Sequence, residues 1–114
     1  MIVGVGIDVV NIEKFRSLVN DNFILRYFSE NERGLRIEKL AGRFAVKEAL
    51  FKALDVKELF RWDDVEVILE FNGSPKFHFK NHLAHYAQDK NIHLSISHSN
   101  DNAIAVVIIE SSTI

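Results

Sequence analysis

One stretch near the middle of the chain, Gly42-Arg43-Phe44-Ala45-Val46-Lys47-Glu48-Ala49-Leu50-Phe51-Lys52, combines a carboxylate, three cations and two aromatic rings. Helical spacing places Glu48 and Lys52 four residues apart on one face. Arg43 and Lys47 form a second such pair beside them, with Phe44 and Phe51 falling between the pairs. The opposite arc (Ala45, Val46, Ala49, Leu50, Ala53) is small and apolar, which predicts a closely packed back. Such a front suits a phosphorylated, partly apolar ligand, held in part through a metal. The same Glu48–Lys52 spacing is also the ordinary stabilising helix pair, worth roughly 0.2–0.5 kcal/mol. The segment alone therefore leaves both readings open.

Two other clusters bear on the choice. In Gly4-Val5-Gly6-Ile7-Asp8 the glycines leave the Asp8 face of a strand bare, so a ligand or another backbone can approach it closely. Asp8 is then a candidate metal ligand, or else a cap for the helix that follows. Asp8 and Glu48 together offer too few oxygens for a calcium cage. They suit Mg²⁺, which keeps several waters and is completed by substrate phosphates. In Ser95-Ile96-Ser97-His98-Ser99 the serines point one way and Ile96 and His98 the other. His98, at a strand end, reads either as a phosphate donor or as a structural histidine. No G-x-S-x-G elbow accompanies the serines, which argues against serine hydrolysis. His82 and His85 read as surface positions.

These residues need elements to hold them. Ile2 to Val10 predicts a strand with Val3, Val5, Ile7 and Val9 on one face and Gly4, Gly6 and Asp8 on the other. Asn11 is placed to cap a helix over Ile12 to Val19. Ser29 followed by Glu32 has the form of a capping box and predicts a short helix, weakened or ended at Gly34. The long helix spans about Glu38 to Leu54. Val65 to Phe71 alternates as a strand, Asn72-Gly73-Ser74-Pro75 forms a turn, and a second strand runs through Phe79. Asn81 to Asp89 predicts a helix with Leu83, Ala84 and Ala87 inward. Ile92 to His98 and Ala103 to Ile109 form a hairpin around Asn100-Asp101-Asn102. Early helices and late antiparallel strands indicate an α+β fold.

Composition narrows the function classes. With 114 residues and 47% hydrophobic content, the chain supports one cored domain, and nine Phe make that core aromatic. A net charge of −2 argues against general nucleic-acid binding. The cations are uneven, however: nine of the 14 Lys and Arg residues lie between Lys14 and Lys52, leaving room for a local basic face. With no cysteine, disulfides, thiolate zinc sites and a cysteine nucleophile are excluded. No run approaches the roughly 20 apolar residues of a membrane span, and residues 1–10 lack a basic leader. The expectation is a cytoplasmic protein that does not engage membranes or nucleic acid.

Taken together, Gly6-Ile7-Asp8, the stretch from Phe44 to Lys52 and Ser95-Ile96-Ser97-His98 resemble the holo-[acyl-carrier-protein] synthase family, the small bacterial 4′-phosphopantetheinyl transferases. Phe28-Ser29-Glu30-Asn31-Glu32, Leu40-Ala41-Gly42-Arg43-Phe44, Gly73-Ser74-Pro75-Lys76 and the run from Ala103 to Ile108 add to the resemblance, which follows the chain in order. It implies a single transferase domain over residues 1–114, with helices packed on a small antiparallel sheet and sites between the subunits of a homotrimer. It implies transfer of 4′-phosphopantetheine from coenzyme A to a serine of apo acyl carrier protein, in fatty acid biosynthesis. The other product is adenosine 3′,5′-bisphosphate. On this resemblance Asp8 and Glu48 hold Mg²⁺ on the diphosphate and Lys52 neutralises the diphosphate or the leaving oxygen. Arg43 and His98 hold the 3′-phosphate, while Gly73 and Pro75 lie near the adenine. The proton acceptor stays open between Glu48 and a metal-bound water. The partner serine is the nucleophile, so the chain needs none of its own.

An acidic carrier protein would dock on Lys14 and Arg16, with Arg26 a weaker candidate; each also reads as a solvated surface cation. The chain departs from the family at Lys14, where an Arg is usual and could form a bidentate fork that Lys cannot. It departs again at Asp55-Val56-Lys57-Glu58-Leu59, where a glycine-rich turn is usual, and in a shortened segment between Glu32 and Leu40. The competing reading is a non-catalytic module that binds coenzyme A or a nucleotide.

Overall fold

A computed structural model describes residues 1–112. Strand β1 (Ile2–Asn11) leads into helices α1 (Ile12–Leu18), α2 (Asp21–Tyr27) and α3 (Ile37–Ala53). Two short 3₁₀ turns, Lys57–Leu59 and Trp62–Asp64, precede strands β2 (Val65–Leu69) and β3 (Pro75–Phe79). Helix α4 (Asn81–Ala87) and strands β4 (Lys90–His98) and β5 (Asn102–Ser111) complete the order. β5 lies between β1 and β4 in one antiparallel sheet, and β2 and β3 form a separate antiparallel hairpin. This is an α+β fold.

Register fixes what each face of the sheet carries. Asp8 stands opposite Ala105, and Ala105 opposite Ile96; two residues away, Val10 pairs with Ala103 and Ala103 with His98. Alternation therefore puts Gly4, Gly6, Asp8, Ala103, Ala105, Val107, Ile96 and His98 on one face. Helix α3 packs on that face through Ala45, Val46, Ala49, Leu50 and Ala53, all buried. The glycines allow the approach. A Cβ at Gly4 would lie 1.7 Å from the Ala53 carbonyl oxygen, and one at Gly6 would lie 1.9 Å from that of Ala49. The bare glycine face thus receives a helix backbone, and only Asp8 beyond it remains available to a ligand. The other face of the sheet leaves Val5, Ile7 and Val9 more than half exposed.

A second core is aromatic. Phe15, Phe23, Phe28 and Phe44 pack around one another, and Phe44 stacks on Trp62 at 5.3 Å. It ties α1, α2 and α3 to the 3₁₀ turn at Trp62.

Three local expectations need correction. No helix begins at Ser29; the chain from Glu30 to Gly34 is a run of turns. Half of the capping box does form, since the Ser29 N–H donates to Glu32 Oε1 at 3.0 Å. The Ser29 hydroxyl instead donates to Glu66 Oε2 at 2.6 Å, so the helical half is missing. Helix α2 was not expected, yet Asn20 caps it by accepting from the Phe23 N–H at 2.9 Å. Strand β2 stops at Leu69, because Glu70 already belongs to the turn: its N–H donates to the Ser74 carbonyl and its own carbonyl accepts from the Gly73 N–H.

Candidate active site

Helix α3 does not present one mixed front. Lys47 is completely buried, with Nζ 2.6 Å from Glu32 Oε1 and 3.1 Å from the Tyr27 carbonyl. Burial pulls the Lys47 ammonium below its ordinary pKa, against the attraction of Glu32. Glu32 also accepts from the Ser29 and Val67 N–H groups and lies 3.6 Å from Arg43. Phe44 is committed to the aromatic core. At 3.6 residues per turn, Arg43 and Glu48 point about 140° apart around the helix axis. The sequence-derived site therefore divides between the two flanks of α3.

On one flank, Asp8, Glu48 and Lys52 come together. Lys52 Nζ donates to Asp8 Oδ1 at 2.9 Å and to the Ile7 carbonyl at 3.0 Å. Among the described residues its ion pair is this long-range one, not the local pair with Glu48. Asp8 does not cap α1; the side chain of Asn11 does, accepting from the Lys14 N–H at 2.9 Å. Burial pushes the Glu48 carboxyl above the ordinary range, the Asp8 charge adds to that push, and Lys52 opposes it. Glu48 lines a cavity of about 180 Å³ with Phe51, Phe60 and Trp62. No group of three or more metal-ligating side chains occurs among the described residues. Two coupled carboxylates are a donor set for a cation that brings its own waters and binds phosphate as well.

On the other flank, Arg43, Gly73, Pro75 and His98 line one cavity of about 250 Å³. Arg43 donates through Nη1 to the Val67 carbonyl. The His98 Nε2 lies 3.0 Å from the Glu38 carbonyl oxygen, which requires the ring to donate there. Gly42 makes that position possible, since a Cβ on it would lie 2.7 Å from His98 Nε2. Gly73 adopts φ +87°, the left-handed region its turn demands, and so brings Pro75 to the cavity wall. Leu35, Val67, Leu69 and Ile96 add apolar wall, and Lys39 lines the same space. Sequence reasoning missed Lys39, although its position four residues before Arg43 was a usable signal.

The remaining candidates lie on α1 and α2. Lys14 is exposed; Arg16 shares its charge with Glu13 at 3.4 Å and Glu38 at 3.9 Å. Arg26 lies over the Tyr27 ring at 5.3 Å. Exposed Leu18 and Leu25 share these helices. After Leu54, where a glycine-rich turn is absent, Lys57 Nζ donates to the carbonyls of Phe51, Lys52 and Leu54 at 3.2, 3.0 and 2.9 Å. A side-chain cation thus closes the end of α3, satisfying carbonyls that a helix terminus leaves open.

An α+β chain with a carboxylate pair and a lysine on one helix flank and a cationic, apolar-walled cavity on the other suits a protein that handles a phosphorylated cofactor. The chain belongs to the 4′-phosphopantetheinyl transferase superfamily, whose family model matches residues 4–107. It is 42% identical to the holo-[acyl-carrier-protein] synthase of Leifsonia xyli, over 96% of this chain and 98% of that protein. It is 40% identical to that of Clostridium tetani over the full length of both. The crystal structure of a holo-(acyl-carrier-protein) synthase from Bacillus anthracis, in complex with CoA (3′,5′-ADP), superposes with a TM-score of 0.82 at 37% identity. That match covers 98% of this chain and 99% of that one.

Proposed function

We propose that this chain is an enzyme that moves 4′-phosphopantetheine from coenzyme A to a serine hydroxyl of apo acyl carrier protein, supporting fatty acid biosynthesis, with a cytoplasmic location as part of the same reading. The observation that carries it is the convergence of Asp8, Glu48 and Lys52 from β1 and α3 in a chain similar to synthases, one of them solved with coenzyme A. In the reaction the serine oxygen bonds to the phosphorus that bears the pantetheine arm. The bond from that phosphorus to the bridging oxygen breaks, and adenosine 3′,5′-bisphosphate leaves with the electron pair. Lys52 would offset charge on the diphosphate and the departing oxygen. A Glu48 oxygen left free by the cation is the acceptor this chain offers the serine proton.

Mg²⁺ fits the donor set, with Asp8 and Glu48 as its holders; when bound it would supply Lewis-acid neutralisation of the diphosphate. In this reading Arg43 and His98 donate to the 3′-phosphate, with Gly73 and Pro75 beside the base. A homotrimer is supported by the exposed Val5, Ile7 and Val9 stripe, apolar surface that an isolated chain would leave in water. It is also supported by the division of the site between opposite flanks of α3, which another copy's flank could complete. Lys14 and Arg26, beside exposed Leu18 and Leu25, make α1 and α2 the proposed docking face for the acidic carrier. Arg16, already shared with two carboxylates, contributes less.

Wild type and Asp8→Ala, incubated with coenzyme A, Mg²⁺ and apo carrier, test the reading through release of adenosine 3′,5′-bisphosphate. Wild type should release it and the folded variant should not. No release from wild type, with coenzyme A binding intact, would support the non-catalytic module instead.

A further inference from the structure

The cavity between α3, the β2–β3 turn and the end of β4 holds three nitrogen-bearing side chains: Lys39, Arg43 and His98. Among the described residues no carboxylate lines it. Two of the three are already engaged with the protein. Arg43 donates to the Val67 carbonyl and lies 3.6 Å from Glu32, and His98 is hydrogen-bonded to the Glu38 carbonyl. Lys39 makes no ion pair or side-chain hydrogen bond among the described residues. It is exposed, one helical turn before Arg43 and on the same flank of α3. An ammonium with no partner among the described residues, lining a cavity in which they place no carboxylate, is free to meet an incoming anion without first breaking a contact. A phosphate monoester, carrying close to two charges at neutral pH, gains most from it. The walls, Leu35, Val67, Ile96 and Pro75, suit the nucleoside to which such a phosphate is attached.

We propose that Lys39 is a specificity-determining residue, supplying the uncommitted charge that distinguishes coenzyme A from a donor lacking the ribose 3′-phosphate. The proposal rests on the function given above and adds to it a residue and a consequence: Lys39 determines donor choice, whereas the Asp8–Glu48–Lys52 flank determines turnover.

The test compares wild type, Lys39→Ala and Lys39→Arg, with coenzyme A and 3′-dephospho-coenzyme A as alternative donors to apo carrier protein. In Lys39→Ala the preference for coenzyme A over its dephospho form, as a ratio of kcat/KM values, should fall about tenfold, at the lower end for a charge-assisted contact at an exposed site. The loss should fall on KM rather than kcat, and Lys39→Arg should recover most of the preference. Binding of adenosine 3′,5′-bisphosphate relative to adenosine 5′-monophosphate, followed by calorimetry, should shift in parallel. An unaltered preference in Lys39→Ala, or an equal loss with both donors, overturns the proposal while leaving the transferase reading intact. A wild type that transfers from both donors equally overturns it by removing the 3′-phosphate from this cavity. Transfer from neither donor overturns the function on which it rests, and the proposal with it.

Discussion

Glu48 sits where its ionised form costs stability. Its carboxyl is held above the ordinary range, first by burial and then by the neighbouring Asp8 charge, with Lys52 in opposition. A carboxyl raised in the folded state favours folding while it is protonated, below its unfolded value near 4.5. That contribution is lost as pH rises through the folded value, so at neutral pH ionised Glu48 is a burden. In EDTA, Glu48→Gln should therefore melt above wild type at pH 7, with the advantage gone near pH 4, while in Mg²⁺ the variant should no longer modify the carrier. Thermal melts across that range check it; equal melting at both pH values would mean that Glu48 ionises freely. At this scale the residues that the fold brings together, Asp8, Glu48 and Lys52, were legible by type and spacing. Lys47 was not, because its burial depends on Glu32, which reaches it from fifteen residues earlier. Helical periodicity carries no information about a partner on another segment.

The elements are held in place by a few close contacts. Gly6→Ala would drive a methyl group into the α3 backbone, so it should cost at least the roughly 1–3 kcal/mol of an overpacked core. Gly34→Ala, with nothing within 4 Å, should be neutral or stabilising by about 0.4–1 kcal/mol. Urea unfolding of the two variants checks the contrast; similar losses would mean that α3 does not seat on β1 through the glycines. Glu32 joins the 29–35 turn, α3 and β2 at once. Glu32→Ala should lose on the order of 3–5 kcal/mol, because it leaves the Lys47 ammonium buried and uncompensated. Lys47→Met should cost less, since Glu32 would keep the Ser29 and Val67 donors. The reverse order in urea melts would assign the burden to Glu32 instead. Most elements were legible: the long helix from its apolar arc, the hairpins from their turn residues. The Ser29 segment was misread because its hydroxyl found Glu66 across the fold in place of the local N–H. A capping pattern describes a local option and cannot rank it against a distant acceptor.

At the scale of the molecule, α3 keeps the carboxylate pair and the cavity lined by Arg43 and His98 apart, and the apolar stripe on β1 is the surface through which copies could bring them together. Ile7→Lys places a charge in the middle of that stripe. It should lower the mass seen by light scattering from trimer to monomer and reduce transfer in proportion, with the protomer still folded. A wild-type chain that scatters as a monomer and is fully active would remove assembly from the account. Helical spacing does carry the division between flanks, since it sets Arg43 and Glu48 about 140° apart, but the motif from Arg43 to Lys52 is continuous in sequence and reads as one front until the helix is seated on the sheet. Asp8, Glu48 and Lys52 are proposed to serve metal-dependent transfer onto a carrier protein. The intact mass of apo acyl carrier protein, after incubation with this chain and coenzyme A in Mg²⁺ or in EDTA, tests it most directly. The carrier should gain the mass of one phosphopantetheine in Mg²⁺ and none in EDTA; no gain in either, with the chain folded and coenzyme A bound, would contradict it.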